Sequence, residues 1–82
     1  MQLTIKLFGP EARAIGSGQM LVRVERLPIA CGELRREIAR IEPRLAKSLA
    51  TARFAVNCDF VSDESMIGGR DEVAIIGSVC GG

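Results

Sequence analysis

Residues 33–45, Glu-Leu-Arg-Arg-Glu-Ile-Ala-Arg-Ile-Glu-Pro-Arg-Leu, are the stretch of this sequence that decides its fold class. Their apolar side chains recur at three- and four-residue spacings, at Leu34, Ile38, Ile41 and Leu45. This spacing predicts one amphipathic helix whose apolar face covers a core. The helix start is weakly marked because residues 30–32 supply no good capping oxygen. Pro43 favours the first turn of a second, shorter helical segment.

Strand patterns precede this helix. Residues 2–8 alternate, with Leu3, Ile5 and Leu7 on one face, and residues 20–26 alternate again. Between them, Gly9-Pro10 breaks the first strand and residues 16–18 mark a loop. We therefore expect a hairpin of two strands with a long connection.

Further strand patterns follow the helix. Residues 53–57 and 59–62 are predicted to be short strands joined by a tight turn, and residues 72–76 a last strand. This order predicts an α+β protein of the β-grasp (ubiquitin-like) class, with a mixed sheet packed on one main helix. A chain of 82 residues has room for one core. We expect a β-grasp domain over residues 1–76 and a flexible C-terminal Gly-Gly tail over residues 77–82.

The composition excludes several classes of function. The chain contains no histidine, which excludes Ser-His-Asp and Cys-His nucleophile pairs and histidine-ligated metals. Without Trp or Tyr, and with a net charge of +1, the chain is predicted to bind neither nucleic acid nor a membrane. Three cysteines with no close pair favour neither a disulfide framework nor a metal site. We therefore expect no bound cofactor or metal. We also expect a cytoplasmic protein, since neither a membrane span nor a signal-peptide pattern is present.

The end of the sequence carries a separate signal, Gly77-Ser78-Val79-Cys80-Gly81-Gly82. One interpretation is a frayed, flexible end. The other is chemical, because glycines without a Cβ can enter a narrow channel and present a terminal carboxylate for activation by a nucleotide-using enzyme. The folded core would then be a rigid handle for a mobile arm.

Three apolar residues are predicted to face outward near this end. By alternation, Phe8 and Ile76 lie on the outer faces of their strands, and Phe60 follows the tight turn. An outward apolar cluster predicts a docking patch for a partner. The alternative is that the 9–19 connection covers part of it, or that the residues are exposed singly, which needs no explanation.

The sequence resembles the small subunit of molybdopterin synthase and its sulfur-carrier relatives along its whole length. The resemblance is carried by Ile5-Lys6-Leu7-Phe8-Gly9, Phe54-Ala55-Val56-Asn57, Asp71-Glu72-Val73-Ala74 and Val79-Cys80-Gly81-Gly82. The related thiamine-pathway carrier usually lacks most of the segment around residues 43–52, so length favours the molybdopterin branch. The chain departs from the family at Gly77-Ser78, where Pro-Pro is common, at Gly69-Arg70, where the family usually has Asp-Gly, and at Cys80, where Ser or Thr is common.

This resemblance implies a mechanism. A ubiquitin-activating-like adenylyltransferase would use ATP to adenylate Gly82, which a sulfur donor would convert to a thiocarboxylate. The large subunit of a heterotetrameric molybdopterin synthase would then receive the tail, and sulfur would pass to cyclic pyranopterin monophosphate. Gly82 would be the sulfur carrier and Gly81 a spacer, and the chain would catalyse nothing alone. The partner contacts implied are Phe8, Phe60, Ile76, Val79 and Cys80.

Three alternatives stay open at this stage. The chain could carry sulfur for thiamine, cysteine or another sulfur-containing product. It could be a non-covalent β-grasp binding module with an incidental Gly-Gly ending. It could also be conjugated to protein lysines, as ubiquitin is.

Overall fold

A computed structural model describes residues 1–77 of the chain. The strands are β1 (Gln2–Leu7), β2 (Gln19–Arg23), β3 (Ile29–Ala30), β4 (Arg53–Val56), β5 (Asp59–Val61), β6 (Met66–Ile67) and β7 (Val73–Ile76). The helices are α1 (Gly9–Ile15), α2 (Cys31–Ile41) and α3 (Ala46–Leu49), with a 3₁₀ turn at Pro43–Leu45.

Five strands form the main sheet, in the order β2-β1-β7-β4-β5. The central pair, β1 and β7, is parallel, and the other neighbours are antiparallel. This is the predicted mixed sheet, and the predicted β1–β2 hairpin is also confirmed. Strands β3 and β6 pair in a separate two-stranded sheet that the sequence patterns did not indicate.

The core lies between the main sheet and α2. Alternation along β1 and β7 buries one face of each strand, and β4 adds Phe54. Helix α2 buries Leu34 and Ile38 against these strands, and the 3₁₀ turn adds Leu45. The β-grasp prediction, a mixed sheet on one main helix, is therefore confirmed.

The ends of α2 follow the sequence signals with one exception. No side chain caps its start, and the N–H groups of Cys31 and Gly32 instead donate to carbonyls of the 63–65 loop, at 2.8 and 2.9 Å. Pro43 begins the 3₁₀ turn, as predicted. The prediction for Ile41 is wrong, since its side chain is exposed. Ile41 is the last residue of α2, where the chain turns away before Leu45 returns to the core.

The long β1–β2 connection contains α1, which the sequence analysis missed. Pro10 lies in its first turn, where a missing N–H costs nothing. Gly16 ends the helix at a φ of 81° and donates its N–H to the Ala12 carbonyl at 2.8 Å. Gly9-Pro10, predicted to break the first strand, is therefore the start of a short helix, and Gly16, predicted to lie in a loop, ends it.

Candidate docking surface and carrier segment

The outer face of the main sheet carries a shallow groove of about 300 Å³, called here the outer groove. Its lining residues are Lys6, Phe8, Ala55, Cys58, Phe60, Glu72, Ala74 and Ile76. The structure thus brings together the three outward apolar residues that the sequence singled out. Phe8 is 51% and Phe60 is 53% exposed, so α1 and the rest of the 9–19 connection leave both accessible.

Strand register explains the floor of the outer groove. Ala74 pairs with Lys6 on one side and Ala55 on the other, and Ala55 pairs with Phe60. One row across β1, β7, β4 and β5 therefore consists of Lys6, Ala74, Ala55 and Phe60. Two alanines at its centre leave a depression, because their side chains are small, and Phe60 forms its wall. An apolar depression between aromatic side chains is a typical anchor site for a partner's side chains.

A tight turn places the Phe60 wall. Asn57 and Cys58 have φ values of 52° and 72°, as a two-residue turn between antiparallel strands requires. The Asn57 side chain donates to Asp71 at 2.9 Å and accepts the N–H of Glu72 at 2.9 Å. Its own N–H donates to the Glu72 carbonyl at 2.8 Å. These bonds hold the β4–β5 hairpin against the start of β7.

Charged groups lie at the rim of the outer groove. Lys6 Nζ is 2.7 Å from a carboxylate oxygen of Glu72, and this hydrogen bond raises the pKa of Lys6 above its ordinary value. The Arg53 guanidinium stacks 4.0 Å from the centre of the Phe60 ring. An apolar centre with a charged rim is the usual composition of a protein–protein interface. These rim residues carry no sequence signal of their own, although the alternation along β1 already places Lys6 on the outer face.

The predicted carrier segment begins where β7 ends. Ile76 lines the outer groove and is the last residue of β7, and Gly77 follows it directly. The predicted site residues Val79, Cys80, Gly81 and Gly82 lie outside the described residues, as does most of the predicted 77–82 tail.

Two of the cysteines fall within residues 1–77. Cys31 is buried, and desolvation raises the pKa of its thiol, so it is a neutral core side chain. Cys58 is exposed at the edge of the outer groove.

In this part of the chain, no cluster of three or more His, Cys, Asp or Glu side chains could hold a metal ion. No helix within residues 1–77 is long and apolar enough to cross a membrane.

Solved structures share this fold over nearly the whole chain. SAMP1 from Haloferax volcanii matches with a TM-score of 0.81 and 20% identity over 100% of both chains. The putative molybdopterin converting factor, subunit 1, from Pyrococcus furiosus matches with a TM-score of 0.79 and 17% identity over 96% of this chain and 99% of that one. A chain in the complex of subunits 1 and 2 of the molybdopterin-converting factor from Helicobacter pylori 26695 matches with a TM-score of 0.67 and 22% identity over 100% of both. No curated protein matches significantly.

Fold and site together define a ubiquitin-like β-grasp protein with an apolar groove beside the strand that leads to its last residues. At the identities found, the structural matches establish the fold alone. The sequence itself settles the family. The chain belongs to the ThiS family, whose model matches residues 5–82, and the predicted resemblance to ubiquitin-like sulfur carriers is confirmed.

Proposed function

We propose that this protein is the sulfur-carrying subunit of a molybdopterin synthase. Gly82 is adenylated by a ubiquitin-activating-like enzyme with ATP and is then converted to a thiocarboxylate. The large synthase subunit then binds residues 77–82 with the thiocarboxylate at their end, and the sulfur passes to cyclic pyranopterin monophosphate. The observation that carries this proposal is the outer groove beside Ile76, in a family match that extends through Gly81 and Gly82.

The geometry supports a two-part recognition of the partner. A partner bound to Phe8 and Phe60 lies beside the end of β7. Residues 78–82, fully extended, span at most roughly 17 Å beyond Gly77. The reacting carboxyl group must therefore enter a partner site within that distance of Gly77, which follows the groove residue Ile76. Docking turns delivery of Gly82 into an effectively unimolecular step.

Each chemical step has a defined donor and leaving group. A carboxylate oxygen of Gly82 attacks the α-phosphorus of ATP, and pyrophosphate leaves. A sulfur nucleophile at the sulfide level then attacks the carbonyl carbon and displaces AMP, which leaves a thiocarboxylate. In the synthase, that sulfur forms a C–S bond to a carbon of the pterin precursor as the C–O bond of that carbon breaks and its oxygen leaves, and water then cleaves the acyl–sulfur bond and restores the carboxylate. Two deliveries supply the two sulfurs of the dithiolene.

This division of labour suits the chain's own residues. The absence of histidine leaves general acid–base catalysis to the partners. Gly81 acts as a spacer that passes a narrow channel because it lacks a Cβ. Phe8, Phe60 and Ile76 contribute binding energy, and Val79 and Cys80 contact the channel entrance.

A reconstituted transfer reaction tests the proposal. The protein charged with sulfur at Gly82 is mixed with a large molybdopterin synthase subunit and cyclic pyranopterin monophosphate. We expect the dithiolene product and the return of Gly82 to a carboxylate. A matched variant with one alanine added after Gly82 should give no product, whereas a full yield from the extended variant would show that the sulfur is not carried on Gly82 and would overturn the proposal.

A second candidate is a sulfur carrier for a different product, favoured by the name of the matching family, ThiS. Against it, two of the matching structures bear the name of a molybdopterin-converting factor. The same charged protein, offered in parallel to a thiamine thiazole-forming enzyme, separates the candidates. Sulfur transfer there and none to the pterin precursor would replace the molybdopterin assignment and leave the carrier chemistry intact.

A further inference from the structure

A buried carboxylate lies beneath the start of the carrier segment. Glu11 in α1 is 2% exposed and is the one buried charged or polar residue within residues 1–77. Within that range its buried Oε1 oxygen has no hydrogen-bond partner. Burying a carboxylate oxygen in this way is unfavourable, so core packing does not explain why a glutamate stands here.

The carboxylate of Glu11 occupies the position of a side chain at Gly77. A Cβ built on Gly77 would lie 2.5 Å from Oε1 and 2.8 Å from Oε2 of Glu11. Such distances are shorter than real Cβ contacts, so any other residue at position 77 would force Glu11 or the backbone to move. By contrast, a Cβ at Gly18 would meet nothing within 4 Å.

We propose that Glu11 is a positioning residue for the delivery of Gly82 to its partner enzymes, because its carboxylate takes the place of a side chain at Gly77 and restrains the backbone there. Gly77 is the last described residue, and its backbone dihedral angles set the direction in which the chain continues from it. This role rests on the proposed carrier function.

The restraint has an energetic consequence for docking. Glycine has more backbone freedom than any other residue, so ordering it in a complex costs more. Fixing one residue's backbone changes an equilibrium by a factor of about 5 to 30. If Glu11 already restricts Gly77 in the free protein, docking does not have to overcome this factor.

The contact itself is tested without any enzyme. In Glu11→Ala, the ¹⁵N order parameter of the Gly77 amide should fall from the value of neighbouring β7 amides to below about 0.6. The melting temperature should stay the same or rise, because a buried oxygen with no hydrogen-bond partner among residues 1–77 is removed. Arg13→Ala, at an exposed position of the same helix, controls for helix propensity and should leave Gly77 unchanged.

A double-mutant cycle adds the matching steric test. Gly77→Ala should lower the melting temperature in the wild-type background and be tolerated in Glu11→Ala, where the space is free. Gly18→Ala should behave alike in both backgrounds. Equal tolerance of Gly77→Ala in both backgrounds, or an unchanged order parameter, would overturn the inference.

Enzyme kinetics then test whether the contact between Glu11 and Gly77 favours the reaction of Gly82. With a ubiquitin-activating-like enzyme, ATP-dependent pyrophosphate release should show kcat/KM about 5- to 30-fold lower for Glu11→Ala, mainly through KM. An unchanged kcat/KM with a loosened Gly77 would reject the positioning role. If the wild-type protein releases no pyrophosphate with an enzyme competent on another carrier, the carrier function fails and the role fails with it. The order parameter and the cycle still decide whether the contact exists.

Discussion

The two faces of the main sheet differ in what covers them, although the same strands build both. On the inner face, Leu3, Ile5 and Leu7 of β1 lie buried under α2. On the outer face, Phe8 directly follows β1 and is half exposed, and it lines the outer groove together with Ile76 and Phe60. The apolar side chains of the inner face are buried by other parts of the same chain. The apolar groove of the outer face is not covered by any of residues 1–77.

The difference shows how one alternating pattern separates stability from recognition. Inner residues contribute free energy of folding in proportion to the area they bury. Outer residues contribute little to folding and retain their apolar area for a partner. Substitutions on the two faces should therefore change different observables, stability for the inner face and partner binding for the outer face.

The largest effect is expected for Phe54→Ala on the inner face. Phe54 is fully buried, and truncation of a buried Phe costs about 3–5 kcal/mol of unfolding free energy. For a domain of this size, that lowers the melting temperature by at least about 12 °C. Thermal and denaturant unfolding measure it, with Phe54→Leu as the milder control. A loss under about 1 kcal/mol for Phe54→Ala would contradict the described core.

The next effect is on binding and concerns Phe8→Asp on the outer face. A charge in the outer groove should weaken binding to the activating enzyme at least about 30-fold, as for other interface hot spots. Titration calorimetry measures the affinity, and the melting temperature should stay close to that of the wild type. Leu21→Asp is the matched control, since Leu21 is also apolar and 62% exposed but does not line the groove. Equal affinities for both variants would remove the groove from the interface.

A smaller effect on stability is expected at the turn that carries the Phe60 wall. Asn57→Ala removes the side-chain bonds to Asp71 and Glu72 and places alanine at a φ of 52°. We expect a loss of about 1–3 kcal/mol in unfolding free energy. Asn57→Gly loses the same bonds without the backbone strain, so it should be less destabilising. Equal losses in the two variants would show that the positive φ contributes nothing.

The smallest effect is the pH dependence at Asp71. The Gly68 N–H at 2.7 Å and then the Asn57 amide at 2.9 Å lower the pKa of its carboxyl group from 3.8. Because the folded pKa is the lower one, this stabilisation is complete above pH 3.8 and is lost as the pH falls through the folded value. Melting temperatures from pH 7 to pH 3 should therefore fall less steeply in Asp71→Asn than in the wild type. Parallel curves would show that Asp71 makes no such contribution.

Sequence patterns predicted the main elements because each has a strong period. Alternation in β1, β2 and β7 and the helical spacing of Leu34, Ile38 and Leu45 are direct consequences of burying one face. The tight turn at residues 57–59 was also correctly predicted. The outer position of Phe8 and Ile76 follows from the same alternation, and Phe60 was singled out by its place after the tight turn, so the composition of the groove was predictable in part.

Helix α1, the β3–β6 pair and the burial of Glu11 were not predictable from the sequence patterns, for physical reasons. Helix α1 has seven residues, too few for an apolar period, and its Gly9-Pro10 start equally suits a strand break. Strands β3 and β6 have two residues each, and their pairing depends on tertiary packing. The burial of Glu11 runs against the usual exposure of charged side chains, and only the position of Gly77 in space reveals its contact.

The mass of the C-terminal fragment decides whether Gly82 carries sulfur. The protein is incubated with ATP, a sulfur donor and a ubiquitin-activating-like enzyme proven on another carrier, and its fragments are weighed before and after. We expect one oxygen to be replaced by sulfur at Gly82, and we expect a variant lacking Gly81 and Gly82 to stay unchanged although it folds. The change must be localised, because oxidation of a Met or Cys adds nearly the same mass. A Gly82 that remains a plain carboxylate under these conditions would contradict the carrier function.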